Sequence, residues 1–197
     1  MRRRTAIFFL PMGALIFLAL FTGCIEEEGA PATPTPVPPS TPPSTPTPSQ
    51  PSIGMQLSSP DFENGALIPK KFTCEGDDIN PTLMIEGIPA ETKSLALIVD
   101  DPDAPLGTWV HWVVYDIPVG SQIEEDSIPG KQGINDFGRK EYEGPCPPSA
   151  THRYSFTIYA LDTELALGEG VDKNALEEAM QGHIVDQAEL IGLYTRS

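Results

Sequence analysis

Asp100-Asp101-Pro102-Asp103-Ala104-Pro105, followed closely by Trp109-Val110-His111-Trp112-Val113, is the stretch from which the chain is best read. The run just before it, Ser94-Leu95-Ala96-Leu97-Ile98-Val99, is continuously apolar and reads as a strand. Three carboxylates therefore sit in a turn stiffened by two prolines at a strand end, where binding residues tend to gather. Trp109 to Ile117 alternates, which places His111 on one strand face with Trp109, Val113 and Tyr115. A third piece, Gly144-Pro145-Cys146-Pro147-Pro148-Ser149-Ala150-Thr151, is a rigid loop entering His152-Arg153-Tyr154, and a period of two puts His152 and Tyr154 on one face. Taken singly, each residue has an ordinary explanation: histidines in apolar strands are commonly core, and an aspartate before proline commonly caps backbone amides. Taken together, two His, two Asp and a Tyr are expected to converge, because both histidines begin strand cores beside proline-stiffened loops.

Outward from this centre, Tyr154 to Leu161 and Glu189 to Tyr194 also read as strands, so Ile53 to Ser197 is expected to be one mainly β domain. One helix is expected to open at Asn174, with Glu177 as its capping-box partner and Leu176, Ala179 and Met180 on one face; Gly182 ends or bends it.

The N-terminus has the order of an export signal. Met1-Arg2-Arg3-Arg4 is cationic and the apolar run Thr5 to Phe21 follows it. Leu20-Phe21-Thr22-Gly23-Cys24 resembles a lipoprotein motif, in which the cysteine is acylated and becomes the new terminus. The alternative is an uncleaved N-terminal anchor, and both place the domain at the outer face of the cell membrane. Residues 1–23 are thus expected to be a signal. Residues 24–52, from the lipidated Cys24 through Pro/Thr/Ser repeats such as Pro34-Thr35-Pro36-Val37-Pro38-Pro39, are expected to form a stalk with too little apolar content for a core.

The charge balance narrows the partners. Twenty-eight acidic residues against 12 basic give a net charge of −16, and every acidic residue follows Cys24. Such a surface repels phosphate backbones and anionic headgroups, which argues against nucleic-acid binding or an electrostatic membrane footprint. Membrane attachment is left to the N-terminal anchor.

Asp101-Pro102-Asp103-Ala104-Pro105, His111-Trp112 and Gly144-Pro145-Cys146-Pro147-Pro148 leading into His152-Arg153-Tyr154 resemble the phosphatidylethanolamine-binding protein family, also called Raf kinase inhibitor-like proteins. Asn135-Asp136-Phe137-Gly138-Arg139 and Phe72-Thr73-Cys74-Glu75-Gly76 look like its prokaryotic branch. The resemblance spans Met55 to about Arg196. It implies a central antiparallel sheet packed on a smaller sheet with a few peripheral helices. It also implies a small pocket for phosphate-like anions or a phospholipid headgroup, lined by Asp101, Asp103, Trp109, His111, Gly144, Pro148, His152 and Tyr154. Imidazole N–H groups, the Tyr hydroxyl and loop amides would donate to the anion, so protonation is expected to strengthen binding. Two positions depart from the family: Ala150 stands where glycine is common and Asp116 where asparagine is frequent. If position 150 needs a positive φ, the loop is expected to shift.

Apart from Cys24 only Cys74 and Cys146 remain, an even pair in an exported domain, which suggests a disulfide; two free thiols are the alternative. The leading function is a binding module for a phosphate-bearing small molecule or lipid headgroup. The alternative is inhibition of a protease or other enzyme, with a protein target. Hydrolase chemistry using the His/Asp pocket lacks a nucleophile: there is no Gly-x-Ser-x-Gly, no His-Glu-x-x-His and no phosphate loop. The chain is therefore read as a non-enzyme without cofactor or metal.

Overall fold

Strand β3 (Ser94–Asp101) can be almost wholly apolar because it is covered on both faces. The computed structural model describes residues 54–197; the expected signal, the Cys24 lipidation site and the proline-rich stalk lie outside the described residues. In chain order the strands are β1 (Gln56–Ser58), β2 (Leu83–Glu86), β3, β4 (Trp109–Ile117), β5 (Gln122–Ile123), β6 (Lys131–Gln132), β7 (His152–Leu161) and β8 (Ile184–Tyr194), with one helix, α1 (Lys173–Met180). A 3-10 turn spans Lys70–Phe72. The large sheet runs β6-β4-β3-β7-β8 and the small one β1-β2-β5, and all ladders are antiparallel.

Leu95, Leu97 and Val99 of β3 turn toward the small sheet and meet Leu57, Leu83, Ile85 and Ile123. Ala96 and Ile98 turn the other way and pack with Leu176 and Met180 of α1. Each such buried Leu or Ile contributes about 1.5–3 kcal/mol relative to exposure, so the two layers hold β3 rigidly from both sides. The rigidity reaches Asp101, the last residue of the strand.

The alternation expected along β4 is interrupted. Val99 pairs with Trp112 but Asp100 with Val110, leaving His111 without a partner across the ladder. That bulge corrects the face assignment, because Val113 and Tyr115 turn to the α1 side while Trp112 and Val114 turn to the small sheet. A second irregularity falls between Leu95 and Leu97, beside Asp116 at φ 50. Aspartate tolerates the left-handed region because its short side chain bonds locally. Here Asp116 accepts the Leu165 N–H at 2.6 Å and pairs with Lys131.

The helix starts earlier than expected. Asp172 is its N-cap and accepts the Ala175 N–H at 2.8 Å, which displaces the expected box between Asn174 and Glu177. Leu176 and Met180 are buried, and Gly182 adopts φ 80 just past the end. Among the described residues no helix is long and apolar enough to cross a membrane.

Candidate functional site

β3 delivers Asp101 to the end of the large sheet, and the Pro102–Pro105 turn folds back over it. Asp101 is 3 % exposed and each oxygen of its carboxylate accepts one hydrogen bond: Oδ1 accepts the Asp103 N–H at 2.9 Å and Oδ2 accepts His152 Nδ1–H at 2.7 Å. A carboxylate only accepts, so His152 carries its proton on Nδ1. His152 stands at the start of β7, also buried.

His111 points into the same region from the β4 bulge. Its Nδ1–H donates to the Glu143 carbonyl at 2.6 Å, and Nε2 makes no hydrogen bond among the described residues. Burial lowers its pKa, opposed by the Glu143 carbonyl and by Asp101, Asp100 and Asp78. Neutral His111 therefore presents a bare Nε2 lone pair. Its ring meets the edge of Tyr154 at 5.2 Å and that of Phe137 at 5.3 Å, and Phe137 in turn meets Trp109 at 5.6 Å. Tyr154 is completely buried beside Asp101, and its hydroxyl makes no hydrogen bond of ordinary geometry among the described residues. Burial and the nearby Asp101 carboxylate push its pKa up.

These groups surround a cavity of about 330 Å³. Asp101, Trp109, His111 and Pro148 line it, as do five residues that the sequence did not single out for the pocket: Ala104, Pro105, Leu106, Phe137 and Cys146. Phe137 is carried there by Asn135, whose Oδ1 accepts the Phe137 and Arg139 N–H groups while its Nδ2 donates to the His111 and Glu141 carbonyls. The Asn135-Asp136-Phe137-Gly138 stretch was a legible signal of that loop, though not of the aromatic's destination. Nothing in the sequence marks the Glu143 carbonyl that orients His111.

The remaining expected pocket residues sit behind or beside the cavity. His152 and Tyr154 back Asp101 and His111 without lining the space. Asp103 turns away: Arg153 grips it through Nε at 2.9 Å and Nη2 at 2.6 Å, and the Arg153 backbone N–H adds a third bond. The guanidinium holds the Asp103 pKa down at about 2. Asp103 thus fastens the turn to β7. Gly144 donates its N–H to Asp78 Oδ1 at 2.6 Å and is wedged against the 3-10 turn, where a Cβ would lie 2.5 Å from the Phe72 carbonyl oxygen. Its amide is therefore committed within the protein, contrary to the expectation that it donates to an anion.

Cys74 and Cys146 form a disulfide with Cα atoms 5.5 Å apart, and the Cys74 N–H reaches the Pro145 carbonyl at 3.3 Å. Past it, Ala150 takes φ 60. The loop keeps the left-handed conformation, and the alanine bears a cost that glycine would not. Ala150→Gly is expected to stabilise the domain by about 0.5–1 kcal/mol, the relief of the Cβ clash exceeding the entropy added to the unfolded chain. Thermal denaturation checks this, and an unchanged or lower Tm would refute it. No group of three His, Cys, Asp or Glu among the described residues is arranged to hold a metal ion.

A two-sheet antiparallel domain with a ligand-sized cavity at the end of its central sheet defines a β fold of the binding-protein class. The family model described as phosphatidylethanolamine-binding protein matches residues 58–195. A UPF0098 protein of Methanothermobacter thermautotrophicus is 48% identical over 150 residues, which are 72% of this chain and 99% of the relative. One of Pyrococcus horikoshii is 50% identical over 147 residues, 68% of this chain and 74% of the relative. A crystal structure of a Chlamydia trachomatis protein, described as a homologue of phosphatidylethanolamine-binding protein, superposes with TM-score 0.71 at 48% identity, covering 73% of this chain and 99% of that one. Escherichia coli YbcL, described as a new member of the mammalian family, gives TM-score 0.68 at 29% identity over 73% of this chain and 99% of its own. The chain belongs to the phosphatidylethanolamine-binding protein family.

Proposed function

We propose that this chain is a membrane-tethered extracellular binding module whose cavity takes a small phosphate-bearing molecule or a phospholipid headgroup. The observation that carries the reading is the Nε2 of His111, which lines the cavity beside Asp101 and makes no hydrogen bond among the described residues. A buried polar atom left unpaired costs about 1–3 kcal/mol, which a ligand reaching it from the cavity would recover. Once protonated, His111 donates from Nε2 to an anion held there. Binding without turnover is proposed because the sulfur of Cys146, which lines the cavity, is tied to Cys74, and no serine or threonine lines the space. The tether rests on the lipoprotein-like sequence around Cys24.

The sign of the pH dependence follows from His111. Burial lowers its pKa below the ordinary value of about 6.5, so it is neutral near pH 7, and an anion must draw it into the charged form. Affinity is expected to rise about tenfold for each pH unit lowered, until His111 is fully charged. Sulfate is the probe of choice, since its own charge is constant over this range. Calorimetric titration between about pH 4 and 8 checks this, and His111→Ala is expected to flatten the profile. Sulfate affinity that is independent of pH, or unaffected in His111→Ala, would refute the reading.

A further inference from the structure

We propose that the same cavity binds a small organic ammonium, a primary amine on an apolar stem, when His111 is neutral. The floor then offers acceptors: the Asp101 carboxylate and the bare Nε2 of His111, whose Nδ1–H is spent on Glu143. The proline-rich loop contributes few donors, because Pro145, Pro147 and Pro148 have no N–H and that of Gly144 goes to Asp78. An anion thus finds little to bind until His111 charges, whereas an ammonium finds its partners in place.

The walls complete the match. Trp109 and Phe137 present aromatic rings, the surface over which an ammonium is attracted by the ring quadrupole. Leu106, 94 % exposed at the mouth, and Pro105 give an apolar stem something to lie against. At long range, a net charge of −16 steers cations in and anions away.

The two ligand classes exclude each other through one titration. Around His111 stand Asp101 from β3, the Glu143 carbonyl and Tyr154 from β7, with His152 behind Asp101, while the charges of Asp100, paired with Lys173 of α1, and of Asp78, bound by the Gly144 N–H, act from farther off. Charging His111 places a cation where the ammonium would sit. The ammonium is lost in the direction in which the anion is gained. This inference uses the cavity assigned above and stands whether or not the anion binds.

The test is calorimetric titration of the full chain, at fixed ionic strength, with benzylammonium chloride, with benzyl alcohol as its neutral counterpart and with sodium sulfate. At about pH 8 benzylammonium is expected to bind about tenfold or more tightly than benzyl alcohol, and to weaken about tenfold by pH 5. Asp101→Asn, which keeps an acceptor oxygen but removes the charge, is expected to lose about tenfold for benzylammonium and little for benzyl alcohol. Equal affinity for the alcohol and the ammonium, no ammonium binding near pH 8, or an indifferent Asp101→Asn would each overturn the proposal. Should that variant fail to fold, the comparison of ammonium and alcohol on the unaltered chain decides. Ammonium binding without any sulfate binding at pH 5 would support this inference and sink the anion reading.

Discussion

Replacing Cys74 and Cys146 together by alanine is expected to destabilise the domain by about 4 kcal/mol, through the loop-closure entropy of the 72 residues that the bridge spans. For a domain of this size that corresponds to a fall in Tm of about 10 °C. The effect is not confined to stability, because Cys146 lines the cavity and its neighbours Pro145 and Pro148 hang from the same bridge. Three prolines stiffen the loop locally, but prolines do not fasten it to the rest of the molecule. Three attachments do: the disulfide, the Cys74 N–H on the Pro145 carbonyl, and Gly144 seated against Phe72 and Asp78. With the first removed, the cavity wall is held by the two weaker ones, and affinity for either ligand class is expected to fall with stability. Denaturant unfolding of the double variant beside the unaltered chain, with and without reductant, measures it. Equal midpoints would show that the bridge does not form in solution.

How much of this could be read from the chain alone depended on which physical signal each element leaves. Strands β3, β4, β7 and part of β8 leave a strong one, since they are long and buried, and their apolar runs are punctuated by glycine and proline. The small sheet leaves almost none. Gln56–Ser58, Leu83–Glu86 and Gln122–Ile123 are too short to establish a period, and only their inward residues, Leu57, Leu83, Ile85 and Ile123, are buried. The site shows the same division. Asp101, Trp109, His111 and Pro148 were expected from their motifs and do line the cavity. What period-two reasoning could not supply is the bulge at His111, because an extra residue in one strand is a property of the pair, invisible in either strand alone. Asp103 was grouped with Asp101 by proximity in sequence. Its actual partner, Arg153, comes from the far side of the domain's chain and claims both its oxygens. Gly144 likewise carries the signature of a functional glycine, yet its missing Cβ makes room for the protein's own backbone.

Asp101→Ala is expected to be the most damaging single change in the site, costing on the order of 3 kcal/mol, because a buried donor and a part-buried one lose their acceptor at once. His152 Nδ1–H and the Asp103 N–H both end on this carboxylate, in a region where Asp101 is 3 % and His152 7 % exposed. Water has little access to take its place. Asp101→Asn separates the two roles of the residue. Its amide oxygen can keep the Asp103 N–H, and His152 can move its proton to Nε2 so that Nδ1 accepts from the new NH2, which confines the loss to about 1 kcal/mol. If the carboxylate acts on ligands through its charge, alanine and asparagine should be equally poor at holding an ammonium while differing by about 2 kcal/mol in stability. If it serves only to brace the turn, the asparagine variant should bind as the unaltered chain does. Urea unfolding of the two variants, read beside benzylammonium titration of each, distinguishes these outcomes. An alanine variant as stable as the asparagine one would mean that His152 and Asp103 find other acceptors, and that Asp101 is not the keystone of the strand end.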